Sequence, residues 1–60
     1  MKKTIRDRLI SLISIYEHDI KDLKEIRKMN IKNQDWYNVA ICQQSIYDKE
    51  VFIKQLKEIL

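Results

Sequence analysis

Apolar residues recur every three or four positions along the first half of the chain, from Ile5 to Ile26. This spacing is that of one face of an α-helix. The pattern is densest at residues 9–16, where six of eight residues are apolar and only Ser11 and Ser14 interrupt the run. A helix that is apolar around most of its circumference must be covered on more than one side. We therefore expect this stretch to contact a second helix of the same chain and another polypeptide as well.

The second half of the chain carries two apolar stripes at helical spacing, about a hundred degrees apart. The main stripe, which Lys49 interrupts, consists of Val39, Cys42, Ile46, Ile53, Leu56 and Leu60. The other stripe consists of Trp36, Ala40, Tyr47 and Val51. The second helix thus also has more apolar surface than one neighbouring helix can cover.

The polar residues between these segments predict where each helix begins and ends. Thr4 and Asp7 form a capping-box pattern at the start of the first helix. Asn30 is suited to the left-handed conformation that ends a helix, and Asn33 is a suitable N-cap for the next one. These signals predict a first helix over about residues 4–29, a loop over about 30–33 and a second helix over about 34–59.

A short loop between two amphipathic helices predicts an all-α fold, an antiparallel two-helix hairpin that forms a single domain over residues 1–60. Residues would face each other when their numbers add up to about 63, which places Tyr16 against Ile46 and Tyr47. In heptad notation Leu9, Tyr16 and Leu23 occupy a, while Ile5, Leu12 and Ile26 occupy d with Asp19 as the polar exception. Ile13 and Ile20 occupy the flanking e positions, at the edge of this stripe. Asp19 would then form a polar layer beside Gln43 and Gln44, a device that can fix register or oligomeric state.

Composition adds a reason for self-association. The chain has 60 residues, one cysteine, no glycine and no proline. Chains of this length are marginally stable alone unless disulfides, a metal or oligomerisation supports them, and one cysteine cannot form an internal disulfide. We therefore expect the hairpin to pair with a second copy as a homodimeric four-helix bundle.

Composition also bears on location. A lone cysteine fits a reducing compartment. The apolar run at residues 9–16 is much shorter than the ~20 residues that span a bilayer, and it lacks the small-residue cleavage site of a signal peptide. The excess of isoleucine, lysine, asparagine and tyrosine is typical of an AT-rich coding sequence. We expect a protein in the cytoplasm of a low-GC bacterium, encoded by the bacterium or by its phage, without a membrane partner.

Two groups of residues are candidates for chemistry, and neither pattern is specific. His18, Asp22 and Glu25 share one helix face and could hold a divalent ion, but such residues are ordinary on the outside of a helix. Cys42 lies in an apolar stripe, where a free cysteine behaves as a small hydrophobic residue. We therefore expect no enzymatic activity, no metal and no cofactor.

Two further sets of residues are candidates for binding. A stripe of positive charge near the loop could contact nucleic acid, although alternation with carboxylates favours a solvated surface. Its members are Lys21, Lys24, Arg27, Lys28 and Lys32. Trp36 and Tyr37 are residue types that dominate interface hot spots, with Trp36 expected in the core and Tyr37 exposed. We predict that the partner or oligomer interface comprises Leu9, Ile10, Leu12, Ile13, Ile15, Tyr16, Trp36, Tyr37, Tyr47 and Val51.

The leading functional hypothesis is a small non-enzymatic interaction protein that binds and modulates or inhibits a larger protein, as phage factors for host takeover or anti-defence do. The alternative is a dimeric hairpin regulator that binds RNA or DNA through its lysine-rich surface. A nucleotide-like anion held between subunits and a structural subunit of a larger assembly remain further alternatives. A formal net charge of +3 is low for a dedicated nucleic-acid binder.

Overall fold

The computed structural model describes residues 4–60. Its first helix begins directly after Thr4, where the predicted capping box is present. The Thr4 hydroxyl accepts a hydrogen bond from the backbone N–H of Asp7 (3.1 Å), and the Asp7 carboxylate accepts one from the backbone N–H of Thr4 (3.3 Å). Helix α1 then spans Ile5–Lys32 and helix α2 spans Trp36–Ile59. The two helices contact each other, so the chain is an all-α helical hairpin.

Helix α1 continues three residues further than the predicted boundary at 29. Asn30 lies inside the helix, and the left-handed residue is Gln34, with φ 57°. The backbone N–H of Asp35 donates to the carbonyl of Asn30 (2.8 Å), and that of Gln34 donates to the carbonyl of Ile31 (3.0 Å). These two hydrogen bonds form a Schellman motif, which supplies donors to the free carbonyl groups at the end of a helix.

The N-cap of α2 also differs from the prediction. Asp35, rather than Asn33, precedes the first helical residue, and its carboxylate accepts a hydrogen bond from the backbone N–H of Asn38 (3.4 Å). The same carboxylate accepts a second bond from the Asn38 side chain (2.6 Å). Asn33 instead ends α1, where its backbone N–H bonds to the carbonyl of Met29 (3.0 Å).

Replacing Gln34 by glycine is expected to stabilise the hairpin by about 0.5–1 kcal/mol. A left-handed backbone costs a residue with a Cβ about 1–2 kcal/mol, and glycine avoids this cost but loses more entropy on folding. Urea denaturation at a fixed protein concentration measures the change. Gln55→Gly is the matched control, because Gln55 lies inside α2 and glycine there should destabilise the chain by a similar amount. Equal destabilisation by both substitutions would contradict the prediction.

The register between the helices differs from the predicted one by more than one helical turn. The Tyr16 ring lies 5.8 Å from the Phe52 ring, rather than against Tyr47, and the Arg27 guanidinium donates to Gln43 Oε1 (2.8 Å). Contacting residues across the hairpin have numbers that add up to between 65 and 72, instead of 63. The longer α1 moves the turn toward Gln34, and this shifts every pairing along both helices.

The hairpin core is one row of side chains between the helices. The buried residues are Ile13, Ile20, Cys42, Ile46, Ile53 and Leu56. Leu9, Leu12, Tyr16 and Leu23 are partly buried and pack against this row. The main stripe predicted for α2 therefore does supply the core through four of its members. No side chain among residues 4–60 is fully buried, because each is covered by one neighbouring helix only.

Two residues expected in the core lie outside it. Trp36 is 62% exposed and Ile26 is 48% exposed. The centre of the contact face on α1 runs through Ile13 and Ile20, which the heptad frame had placed at the edge. This rotation turns Ile26 toward solvent. Trp36 is the first residue of α2, and the register shift removes it from the residues of α1 that were expected to cover it.

Candidate interaction surfaces

The hairpin is a slab with two broad surfaces. Its Cα atoms extend over 48 × 21 × 10 Å, so it is one layer of helices thick. Since successive residues in an α-helix are a hundred degrees apart, the core residues fix which side chains belong to each surface. The two surfaces differ sharply in composition.

One broad surface, the apolar face, carries large exposed hydrophobic side chains from both helices. α1 contributes Ile15 and Ile26, and α2 contributes Ile41 and Phe52; each is about half exposed. A groove runs between the two rows, lined by Asp19, Asp22, Leu23, Ile26, Ser45 and Lys49. Contiguous exposed apolar patches are often interaction sites in other proteins.

Two half-buried charges lie in the groove of the apolar face. The ammonium of Lys49 is 5.6 Å from the centroid of the Tyr16 ring, a cation–π distance. Asp19 makes no hydrogen bond or ion pair with any of residues 4–60. It does not lie beside Gln43 and Gln44 as predicted. Gln43 accepts the bond from Arg27, while the Gln44 side chain donates to Asp48 (2.9 Å).

The opposite surface, the basic face, holds most of the positive charge. Helical spacing assigns to it seven cations, namely Arg6, Lys21, Lys24, Lys28, Lys32, Lys54 and Lys57. Three carboxylates of the described residues share this surface. Glu17 and Glu50 line one depression with the core residues Ile20 and Ile53, and Glu58 lines another with Lys54 and Lys57. Within residues 4–60 the basic face therefore has a net charge of +4, whereas the whole chain has +3.

Two exposed aromatic residues border the basic face. Trp36 and Tyr47 are each 62% exposed and lie three turns apart on the same side of α2. Trp36 is level with Lys32, and Tyr47 is level with Lys21 on the neighbouring helix. Tyr37 is also exposed, but it is turned a hundred degrees away from Trp36 along α2.

The structure distributes the predicted interface residues over three environments. Leu9, Leu12, Ile13 and Tyr16 pack within the hairpin, so they contribute to the intramolecular contact. Ile10 and Ile15 are exposed on opposite surfaces: Ile10 on the basic face and Ile15 on the apolar face. Val51 is half-buried beside Tyr47 on α2. A role of these residues in a contact with another molecule stays a prediction.

The apolar face includes residues that the sequence patterns did not assign to an interface. Ile26, Ile41 and Phe52 lie on it only because the observed register brings the two flanks of the hairpin together. The polar interruptions at Asp19 and Lys49 were visible in the sequence. Their position in one groove depends on the pairing of the helices.

The predicted nucleic-acid residues are also divided. Lys21, Lys24, Lys28 and Lys32 are exposed on the basic face, while Arg27 is half-buried through its bond to Gln43. Within residues 4–60 the lysines form no ion pair with a carboxylate. These four lysines therefore form one row along α1 whose positive charge is not paired with carboxylates of the described residues.

The side chains singled out for chemistry have ordinary surroundings. His18 Nδ1 is 3.3 Å from the Asp22 carboxylate on the exposed side of α1. Cys42 is buried, and its sulfur accepts a bond from the Asn30 side chain (3.8 Å). Over the described residues, no three His, Cys, Asp or Glu side chains converge to hold a metal ion. Neither helix, as far as it is described, combines the length and apolar character of a membrane span.

No protein-family model, curated protein or solved structure matches the chain. The case for a function therefore rests on the two surfaces.

Proposed function

We propose that the chain is a non-enzymatic interaction protein that forms a homodimeric four-helix bundle and binds a larger protein partner. The observation that carries this proposal is the exposure of Trp36 and Tyr47 on the side away from the apolar face. Tryptophan and tyrosine are the residues most enriched among interface hot spots. Because they lie away from the apolar face, they stay accessible when a second copy covers that face.

The composition of the basic face specifies the chemistry of the partner. A net charge of +4 steers the bundle toward a surface rich in carboxylates, and Trp36 and Tyr47 supply apolar contact area once the surfaces meet. Binding of a small, rigid bundle over a functional surface of the partner blocks that surface. Inhibition of the partner is the mode of action that follows, and it agrees with a phage-encoded factor directed at a host protein.

Homodimerisation is supported by the thinness of the hairpin. The described part of the chain has six buried residues and none that is fully buried. Folded chains of this size commonly need oligomerisation for stability. A second layer of helices over the apolar face converts half-exposed side chains such as Ile15 and Phe52 into a bundle core.

The partner contact predicts the behaviour of an alanine double variant. Immobilised protein is exposed to nuclease-treated lysate of the source cell, and bound proteins are identified by mass spectrometry. Trp36→Ala/Tyr47→Ala is expected to lose the partner, with at least ~100-fold weaker binding, because each hot spot contributes roughly 2 kcal/mol or more. Tyr37→Ala is the control, since it removes an exposed tyrosine from another side of α2. A partner retained by the double variant contradicts the proposal.

RNA or DNA binding is a second candidate, favoured by the row of unpaired lysines beside exposed aromatic residues. Phosphates would contact the lysines, and bases would stack on Trp36 and Tyr47. Affinity for a fluorescent RNA hairpin should then fall steeply between 50 and 200 mM salt, by about 10²-fold for four phosphate contacts. Lys24→Gln should reduce the salt slope by about one, whereas Arg8→Gln, away from the basic face, should not. A salt-independent affinity argues against this candidate.

A further inference from the structure

We infer that a second copy of the chain covers the apolar face with α1 lying on α2 of the partner, and that Asp19 and Lys49 of both copies form a ring of four alternating charges at the centre. This inference rests on the proposed homodimer and specifies its geometry. It gives a role to the two charged residues that interrupt the apolar stripes.

The spacing of the apolar residues fits this arrangement. Ile15 and Ile26 are eleven residues apart on α1, and Ile41 and Phe52 are eleven residues apart on α2. Each pair is therefore separated by about 16 Å along its helix. The observed register places Tyr16 against Phe52 and Arg27 against Gln43. Ile15 is therefore within one residue of the level of Phe52, and Ile26 is within about three residues of the level of Ile41.

A dimer with its two-fold axis parallel to the helices brings the apolar pairs of α1 and α2 together. It stacks each α1 on the partner's α2 without changing the level of any residue. Ile15 then lies near the partner's Phe52, and Ile26 lies near the partner's Ile41. All four neighbouring helix pairs in the resulting bundle are antiparallel.

Charge distinguishes this arrangement from the other two-fold docking. An axis perpendicular to the helices would stack α1 on the partner's α1, and would place Asp19 beside the partner's Asp19. With the parallel axis, Asp19 lies beside the partner's Lys49 instead. Within residues 4–60 Asp19 has no polar partner, and the Lys49 ammonium forms no ion pair and lies over the Tyr16 ring. A ring in which each carboxylate has an ammonium on either side satisfies both groups.

The apolar face is large enough for a stable dimer. Extents of 48 and 21 Å correspond to a projected area of about 1,000 Å². Standard protein interfaces bury about 800 Å² per partner. A polar layer at the centre of such an interface is a known means of fixing orientation and oligomeric state.

Charge reversal tests the ring. Asp19→Lys creates four lysines and Lys49→Asp creates four aspartates, so each variant alone should lose the dimer, with at least ~100-fold weaker association in analytical ultracentrifugation. An equimolar mixture of the two should recover a dimer, because every contact between copies is again attractive. The mixture remains a valid test if the single variants are unfolded. In that case circular dichroism should show that helix content recovers when the two variants are mixed. Glu50→Lys on the basic face is the control and should leave the dimer intact. Dimeric single variants, or a mixture without recovery, overturn the ring.

Cysteine pairing tests the orientation in a Cys42→Ala background. An Ile15→Cys variant mixed with a Phe52→Cys variant should give a disulfide-linked heterodimer on mild oxidation. Ile15→Cys mixed with Ile26→Cys should not, since these positions meet only in the other docking. A dimer that links 15 to 26 overturns the orientation but leaves the proposed homodimer standing. A well-folded monomeric wild-type chain at micromolar concentration overturns both.

Discussion

Replacing Ile46 by alanine is expected to unfold most of the protein at 25 °C. Ile46 is the most buried side chain described, with 5% of its surface exposed, and it lies in the middle of the core row. An isoleucine-to-alanine change in a core costs ~2–5 kcal/mol through lost burial and the cavity left behind. A chain of 60 residues has only ~3–9 kcal/mol of total stability. The loss is therefore comparable with the whole free energy of unfolding.

Far-UV circular dichroism during urea denaturation measures this effect. Ile10→Ala is the matched control, because Ile10 is 48% exposed on the basic face. Its replacement should change stability by less than ~1 kcal/mol, since little apolar surface is lost and alanine favours the helix. An Ile46→Ala variant with an unchanged urea midpoint would show that the core is not where the structure places it.

A hundredfold increase in protein concentration is expected to raise the apparent free energy of unfolding by ~2.7 kcal/mol. This value follows from mass action when folding and dimerisation occur together. The reason lies in the one-layer core: the half-exposed side chains of the apolar face, such as Ile15 and Phe52, contribute fully only when a second copy covers them.

Urea denaturation at 1 and 100 μM protein gives the comparison. The Lys49→Asp variant serves as the control, since a variant that does not dimerise should show no dependence on concentration. Identical wild-type transitions at the two concentrations would contradict coupled folding and dimerisation. They would leave the tests of the basic face unaffected, because those concern another surface.

The proposed homodimer would be a symmetric bundle. With the apolar faces in contact, both basic faces point outward on opposite sides, each with its own Trp36 and Tyr47. A dimer would then present two identical binding sites. A partner with a single acidic surface would be expected to bind with two copies per dimer.

The hydrophobic pattern alone determined the helices and most of the core. Cys42, Ile46, Ile53 and Leu56 were recognisable as one buried stripe, because burial against a single neighbour selects residues at helical spacing. The start of α1 was equally clear, since the capping bonds of Thr4 and Asp7 depend only on residues three positions apart. Such local interactions can be identified from a sequence.

The position of the turn depended on tertiary structure. Asn30 is a better candidate than Gln34 for a left-handed residue, yet extension of α1 to Lys32 places Gln34 there. The energy of one strained residue is small compared with that of packing along two long helices. The packing therefore decides where the chain turns.

The position of the turn also fixed which residues lie on the apolar face and which lie on the basic face. The pairing of Tyr16 with Phe52 is shifted by five residues from the predicted one, which is more than one helical turn. The shift separates Trp36 from the core while it joins Phe52 to Tyr16. The sequence by itself determined that there are two helices, and that each has more apolar surface than the other helix can cover. Only the tertiary structure decided which residues form the apolar face, and that Asp19 and Lys49 share its groove. The physical reason is that a helical pattern fixes the angular position of each residue on its own helix, whereas register is set by the total packing energy of the pair.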